Sequence, residues 1–112
     1  MRRGQIWWTD VGEPSGSEPG YRRPAIIVSA NRLNESTIGT VIVAFLTTSA
    51  RRQRDRGVIK IAARGSGLPQ DSFVNLTQIY TLDRRVLHRR IGRVPDALMV
   101  DIDQGLRFVL AL

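Results

Sequence analysis

The chain has 112 residues, 42% of them hydrophobic, with no cysteine and a formal net charge of +7. That length and apolar fraction predict a single domain over residues 1–112 with one compact core, and exclude an intrinsically disordered chain. The longest apolar runs are strand-sized and the N-terminus turns polar again by Thr9 and Asp10, so no membrane span or secretory leader is expected, and the absence of cysteine fits a cytoplasmic protein without disulfides or thiolate metal sites.

Residues 4–11 alternate around Ile6, Trp7 and Trp8 and predict a first strand. Trp7 and Trp8 would then occupy opposite faces, one in the core and the other at a dimer interface or stacked on a base. Residues 12–22 hold three Gly, two Pro and two Ser and predict a long loop, of a length that is usually functional in a compact domain. Residues 24–29 and 40–47 are nearly all apolar or β-branched, which predicts strands buried on both faces with a turn region at 31–39 between them. The stretch RRQRDR at 51–56 is a basic loop, followed by a short strand at 58–62 and a Gly/Pro loop at 64–70. Strands are expected at 71–76 and 89–94, bracketing another turn region. Residues 95–112 predict the one clear helix. Pro95 suits its first position and Asp96 its positive dipole end, while Leu98, Ile102, Leu106, Val109 and Leu110 fall along one face. Gly105 is unfavourable inside it. Several short strands closed by one terminal helix predict a mostly β fold, a small partly open barrel.

The positive charge is carried by sixteen Arg and one Lys. Such a field attracts polyanions, and arginine adds a planar fork that grips phosphate and stacks on bases. Nucleic acid is therefore the leading partner class, with an acidic protein second; biased codon usage accounts equally well for the Arg/Lys ratio but not for the net charge. His88 is the only histidine, which excludes a two-histidine nuclease within one protomer, and within the basic run 84–93 it reads as a solvated side chain. The ten carboxylates are scattered, Asp101 and Asp103 fall on different helix faces, and neither an EF-hand nor a phosphate-cradling GxxxxGK loop is present. Ser17 and Ser29 have no His–acid relay. No metal or cofactor is expected.

What remains is GSEPGYRRP at 16–24, where Glu18 offers a carboxylate and Arg23 stands where the loop enters a buried strand. A salt bridge pinning the loop is the competing reading of that pair. Thr47 and Thr48 end the apolar run 41–46, where hydroxyls can donate to a phosphate or serve simply as strand-end residues.

The chain resembles the MazF/PemK-type toxins along almost its whole length. RGQIW at 3–7 is similar to the start of the family's first strand, and GSEPGYRRPAIIVS at 16–29 to its GSEQ-x-x-x-RP signature. VIVAFLTT at 41–48, DSFVNLTQIYTLD at 71–83 and IGRVPDALMVDIDQGLRFVLAL at 91–112 resemble its third strand, its D-S-x-V segment, and its closing strand and helix, in the same order. The resemblance implies an SH3-like barrel, a homodimer, and sequence-specific, metal-independent cleavage of single-stranded RNA through attack of the 2′-hydroxyl. It also implies neutralisation by a cognate acidic antitoxin. By motif position, Arg23 would be the main catalytic residue, stabilising charge at phosphorus and delivering a proton to the leaving oxygen. Thr47 would bond the same phosphate and Glu18 would act as base. Ser17, Thr48, Gln78 and Arg52 would contact RNA. Thr77 stands where relatives often carry an acidic residue and Tyr80 where Arg is common, while Pro19-Gly20-Tyr21 replaces a Gln-rich loop; these departures bear on base specificity. The rival readings are a CcdB-like, non-enzymatic gyrase poison on the same fold, a basic RNA-binding barrel without catalysis, and a nuclease-inactive antitoxin sink.

Overall fold

Six strands form, β1 (Gln5–Asp10), β2 (Arg22–Ile27), β3 (Thr40–Thr47), β4 (Val58–Ile61), β5 (Ser72–Asp83) and β6 (Leu87–Arg93), with branched or aromatic side chains dominating β1, β3, β4 and β5. The computed structural model, which describes residues 1–10 and 22–112, joins them into one antiparallel sheet of order β4-β5-β3-β2-β1-β6. β4 and β6 remain its edges, so the sheet does not close on itself. The mostly β, partly open architecture expected from the sequence is what the chain adopts.

Two α-helices, α1 (Asn31–Asn34) and α2 (Asp96–Leu110), and a 3-10 turn at Arg84–Val86 complete the described elements. α1 is a single turn at the start of what reads in sequence as a plain turn region. Its buried Asn34 donates from Nδ2 to the Ser29 carbonyl at 2.9 Å and accepts from the Ser29 hydroxyl, closing the connection to β3. α2 begins one residue later than the sequence suggests. Pro95 is its extended N-cap, with ψ 146°, and contributes its carbonyl to the amides of Leu98 and Met99 at 2.9 and 3.1 Å.

α2 covers one face of the sheet. Ile102 is fully buried among Ile6, Ile26, Leu46, Val74 and Leu76, while Leu98, Met99, Leu106 and Val109 pack around them. Each such buried aliphatic side chain contributes about 1.5–3 kcal/mol. Leu110, expected on this face, is instead 47% exposed, because successive i+4 steps drift round the helix and leave it at the margin of the stripe centred on Ile102. Gly105 faces β5 so closely that a Cβ there would lie 2.5 Å from Leu76 Cδ1. The residue that weakens the helix locally is what lets it seat on the sheet. Arg3 ties the layers together, its Nη2 standing 2.7 Å from the Asp103 carboxylate while its Nε donates to the Val28 carbonyl at 2.8 Å.

The other face holds a second cluster, in which Ala25, Ile27, Val41, Val43 and Leu87 are buried and Trp7, Phe45, Leu82 and Val86 pack against them. β3 is therefore buried on both sides, as its unbroken apolar run requires. Trp7 belongs to this cluster, its indole N–H donating to Gln5 Oε1 at 3.1 Å, and Trp8 occupies the opposite face.

β5 departs most from expectation. A strand at 71–76 followed by a turn is in fact one strand of 12 residues. The alternation breaks because, between the Ala44–Ile79 and Leu46–Val74 pairs, one residue of β3, Phe45, faces four of β5, residues 75–78. Asn75 stabilises that bulge by accepting from the Thr77 amide at 3.0 Å and the Thr77 hydroxyl at 2.6 Å, turn chemistry set within a strand. At the far end of β5, Asp83 accepts from the Arg85 amide at 2.9 Å and caps a short turn into β6. The Arg85 guanidinium, and then its backbone N–H, hold that carboxyl at about 2 against an ordinary 3.8. The pKa is depressed on folding, so the cap is fully charged above 3.8 and is lost only as the pH falls through about 2.

Gly92 in β6 meets the loop before β5 without any clearance, since a Cβ there would lie 2.0 Å from the Ser66 carbonyl oxygen. Gly92→Ala should therefore lower stability by about 1–3 kcal/mol, read as a lower denaturant midpoint at constant slope. Gly39→Ala, which meets nothing within 4 Å, should stay within about 0.5 kcal/mol.

Candidate active site

The second face of the sheet opens at the C-terminal end of β3 into a groove of about 230 Å³. Strand alternation determines what faces it. Thr47 and Phe45, two residues apart on β3, share this face, and the β3–β5 register sets Phe73 directly opposite Thr47. The bulge in β5 adds Asn75 and Gln78 to the wall. β2 contributes Arg23, one strand over.

Contacts with β1 and β3 position Arg23. The buried Thr9 hydroxyl donates to its carbonyl at 2.8 Å and anchors the backbone across from β1. Its Nη2 donates to the Leu46 carbonyl at 3.3 Å, and its guanidinium carbon lies 4.9 Å from the centroid of the Phe45 ring. Phe45 in turn packs against Tyr80, with ring centroids 5.3 Å apart and planes tilted by 55°. The aromatic Tyr80 thus supports the ring beneath Arg23. Cation–π contact of this kind contributes roughly 0.5–2 kcal/mol and holds the guanidinium against the ring.

Beyond Thr47 the chain turns back over the groove. Thr47 Oγ1 accepts from the Ser49 amide at 3.2 Å and Ser49 Oγ from the Arg51 amide at 3.3 Å, two successive hydroxyl turns that bring Arg51 and Arg52 to the rim. Arg52 also pairs with Asp55 at 3.3 Å, an exposed contact of small energetic weight. Because Thr47 uses only an oxygen lone pair in that turn, its own proton is available for a ligand. The described lining thus presents three guanidiniums, two hydroxyls and two amides above an apolar floor of Phe45, Phe73 and Val58, and no carboxylate. Such a surface suits a phosphodiester flanked by a flat ring.

Of the residues singled out in the sequence, Arg23, Thr47, Gln78 and Arg52 are brought together in this groove. Thr48 is not: it follows the last residue of β3, is exposed, and takes no part in the lining. Ser17 and Glu18 lie outside the described residues. Phe45, Phe73, Asn75 and Ser49 were not anticipated. Phe45 was legible from its two-residue spacing to Thr47, whereas Phe73 and Asn75 reach the groove only through strand pairing. His88 is remote from it, 3.9 Å from the Asp10 carboxylate on the sheet's other side. Among the described residues no three His, Asp or Glu side chains converge as a metal-binding group.

Residues 2–110 match the sequence profile of the family described as PemK-like, MazF-like toxin of type II toxin-antitoxin system. The chain is 42% identical over 112 residues to an endoribonuclease of Mycobacterium tuberculosis, MazF6, covering all of this chain and 98% of the relative. It is 30% identical to the endoribonuclease EndoA of Bacillus subtilis, covering all of this chain and 96% of that one. Among solved structures it is similar to a mycobacterial endoribonuclease in complex with its cognate antitoxin, with a TM-score of 0.82 and 28% identity, covering all of this chain and 96% of the other.

If the rim arginines engage phosphates, Arg52→Ala should weaken binding of a single-stranded oligonucleotide and lower the slope of log affinity against log salt by about 1. A fluorescence-anisotropy titration at several ionic strengths reads both quantities.

Proposed function

The chain belongs to the PemK-like, MazF-like toxins of type II toxin–antitoxin systems, and from that membership we propose that its groove cleaves single-stranded RNA with Arg23 and Thr47 as the catalytic pair. The protein is an endoribonuclease toxin neutralised by an antitoxin. The observation that carries the residue assignment is the convergence of Arg23, Thr47, Gln78 and Arg52 on one groove, from four separate parts of the sequence.

The chemistry follows from what those groups can do. The ribose 2′-oxygen attacks the adjacent phosphorus as its proton leaves, and the bond to the 5′-oxygen breaks as that oxygen takes up a proton. The products are a 2′,3′-cyclic phosphate and a 5′-hydroxyl. The nucleophile comes from the substrate, so the protein needs no side-chain nucleophile and, in this scheme, no metal ion. Negative charge builds on the non-bridging oxygens of the pentacoordinate phosphorus, where the Arg23 fork and the Thr47 hydroxyl stabilise it. Donors held in advance at such a position are each worth about 3–4 kcal/mol. Glu18 is assigned the proton from the 2′-hydroxyl, on its place in the family's GSE signature. Gln78 and Arg52 hold flanking nucleotides, and Asn75 and Phe73 join them as recognition residues.

The whole chain acts as one domain, and it works in the cytoplasm, where its RNA is. No helix among the described residues is long and apolar enough to cross a membrane. The formal charge of +7 suits an acidic antitoxin segment as well as RNA. The active form is a homodimer. In support, Leu106, Leu110 and Leu112 line an apolar depression with Ile42 and Ile79, and Leu112 is 84% exposed in the single chain. The endoribonuclease relatives leave nothing in favour of the gyrase-poison reading.

Purified protein incubated with a long RNA in EDTA should cut at a short recurring motif and leave 5′-hydroxyl ends. Arg23→Ala should lose roughly 10²–10³ in kcat, the typical effect of deleting one such donor, with the fold intact by circular dichroism. Persistent cleavage by Arg23→Ala would remove it from the mechanism. Light scattering should give twice the chain mass, falling toward one chain in Leu110→Glu/Leu112→Glu.

A further inference from the structure

We propose that the sheet carries a second RNA-binding site, centred on Trp8 and facing away from the catalytic groove, that holds single-stranded RNA outside the cleaved segment. The inference rests on the endoribonuclease reading for its ligand, and on geometry for its place.

Alternation along β1 and β2 separates the two sites. Arg23 pairs with Thr9 on the groove side, whereas Trp8 stands opposite Pro24, and Asp10 opposite Arg22, on the other. On its second flank Trp8 faces Arg89 of the edge strand β6. Two depressions of about 570 and 370 Å³ adjoin there, and both have Trp8 and Arg89 in their walls. The first also takes in Arg22 and His88, the second Arg90 and Pro69. An indole thus forms the partition between two cavities ringed by guanidiniums.

The side chains are placed for a ligand more than for the fold. Trp7 is packed into a core cluster with its indole N–H bonded to Gln5, but Trp8 belongs to neither cluster, and among the described residues its indole N–H has no partner. Arg89 and Arg90 are exposed and make no ion pair among the described residues. Arg22 is paired with Asp10 at 2.9 Å, and the Asp10 carboxylate also lies 3.9 Å from His88 Nε2. Among the described residues the Asp10 carboxylate is the acid near Arg22 and His88, while Arg89 and Arg90 bring further positive charge beside the aromatic ring. A flat apolar ring flanked by exposed guanidiniums on an edge strand is the arrangement that stacks a base while neutralising its phosphates, without dictating sequence. Nothing in the catalytic scheme uses these residues.

The site should matter only for RNA long enough to reach round the sheet. With a single-stranded RNA of about 40 nucleotides, Trp8→Ala and Arg89→Ala should each raise KM about tenfold with kcat unchanged, and Trp8→Phe should restore most of the loss. With an oligonucleotide just spanning the cleavage motif, all three should match the parent protein. Arg89 is exposed on an edge strand, so its variant tests the site without disturbing the core. Equal effects on both lengths, or none on either, would overturn the proposal. So would unchanged RNA kinetics together with lost neutralisation by the antitoxin, which would assign the patch to a peptide. Should the parent protein cut neither RNA, the endoribonuclease reading falls on its own. Affinity of the Arg23→Ala protein for the long RNA, with and without Trp8, then still decides the site.

Discussion

One residue of β3 facing four of β5, between the Ala44–Ile79 and Leu46–Val74 pairs, is the constraint on which the rest of the molecule depends. An antiparallel pair without a bulge would keep every second residue of β5 on one face throughout. The three extra residues shift the phase, so that Val74 and Leu76 pack beneath α2 and Ile79 rejoins the same layer after an odd interval. The displaced segment carries Asn75 and Gln78 to the wall of the groove. Asn75 satisfies two donors of Thr77, and the Leu76 amide finds the Gly57 carbonyl at 2.7 Å, so the irregular backbone is hydrogen-bonded and leaves no buried donor stranded there. The same bulge that departs from ideal pairing shapes the site.

The sheet needs cover on both faces because β3 is apolar on both. α2 supplies it on one side, seated closely by Gly105 and tied down by the Arg3–Asp103 pair. That pair is only about one-third exposed on each side chain and is reinforced by a backbone contact, so it contributes more than the surface pairs elsewhere on the chain. Among the described residues the cover on the other side is incomplete, and the gap at the end of β3 is the groove. The candidate site occupies the part of that face that the described residues leave unfilled.

Charge is distributed to match. Most guanidiniums are exposed and several are paired, so the formal +7 is a long-range field more than a set of local contacts. Arg23, like Arg3 and Arg84, is only partly exposed. It is anchored through its carbonyl by a buried threonine and supported on a Phe45–Tyr80 stack. A donor held in place before the substrate arrives needs no reorganisation as charge develops, and the role proposed for Arg23 draws on that advantage of a strand position over the neighbouring basic loop.

The sequence by itself determined the mostly β class, the terminal helix, and the catalytic candidates Arg23 and Thr47 through their place at the ends of apolar runs and within a recognisable family pattern. These are local or periodic signals, since a strand buried on both faces and an amphipathic helix are written in consecutive residues. It misjudged β5, where turn chemistry at Asn75 reads as the end of a strand, and Leu110, where slow drift round a helix decides burial. Tertiary structure alone decided that Phe73 faces Thr47, that Tyr80 supports the ring beneath Arg23, and that Trp7 is the tryptophan that enters a core cluster. Those outcomes depend on register between strands far apart in the chain, and a slip of one residue in register exchanges the two faces of a strand.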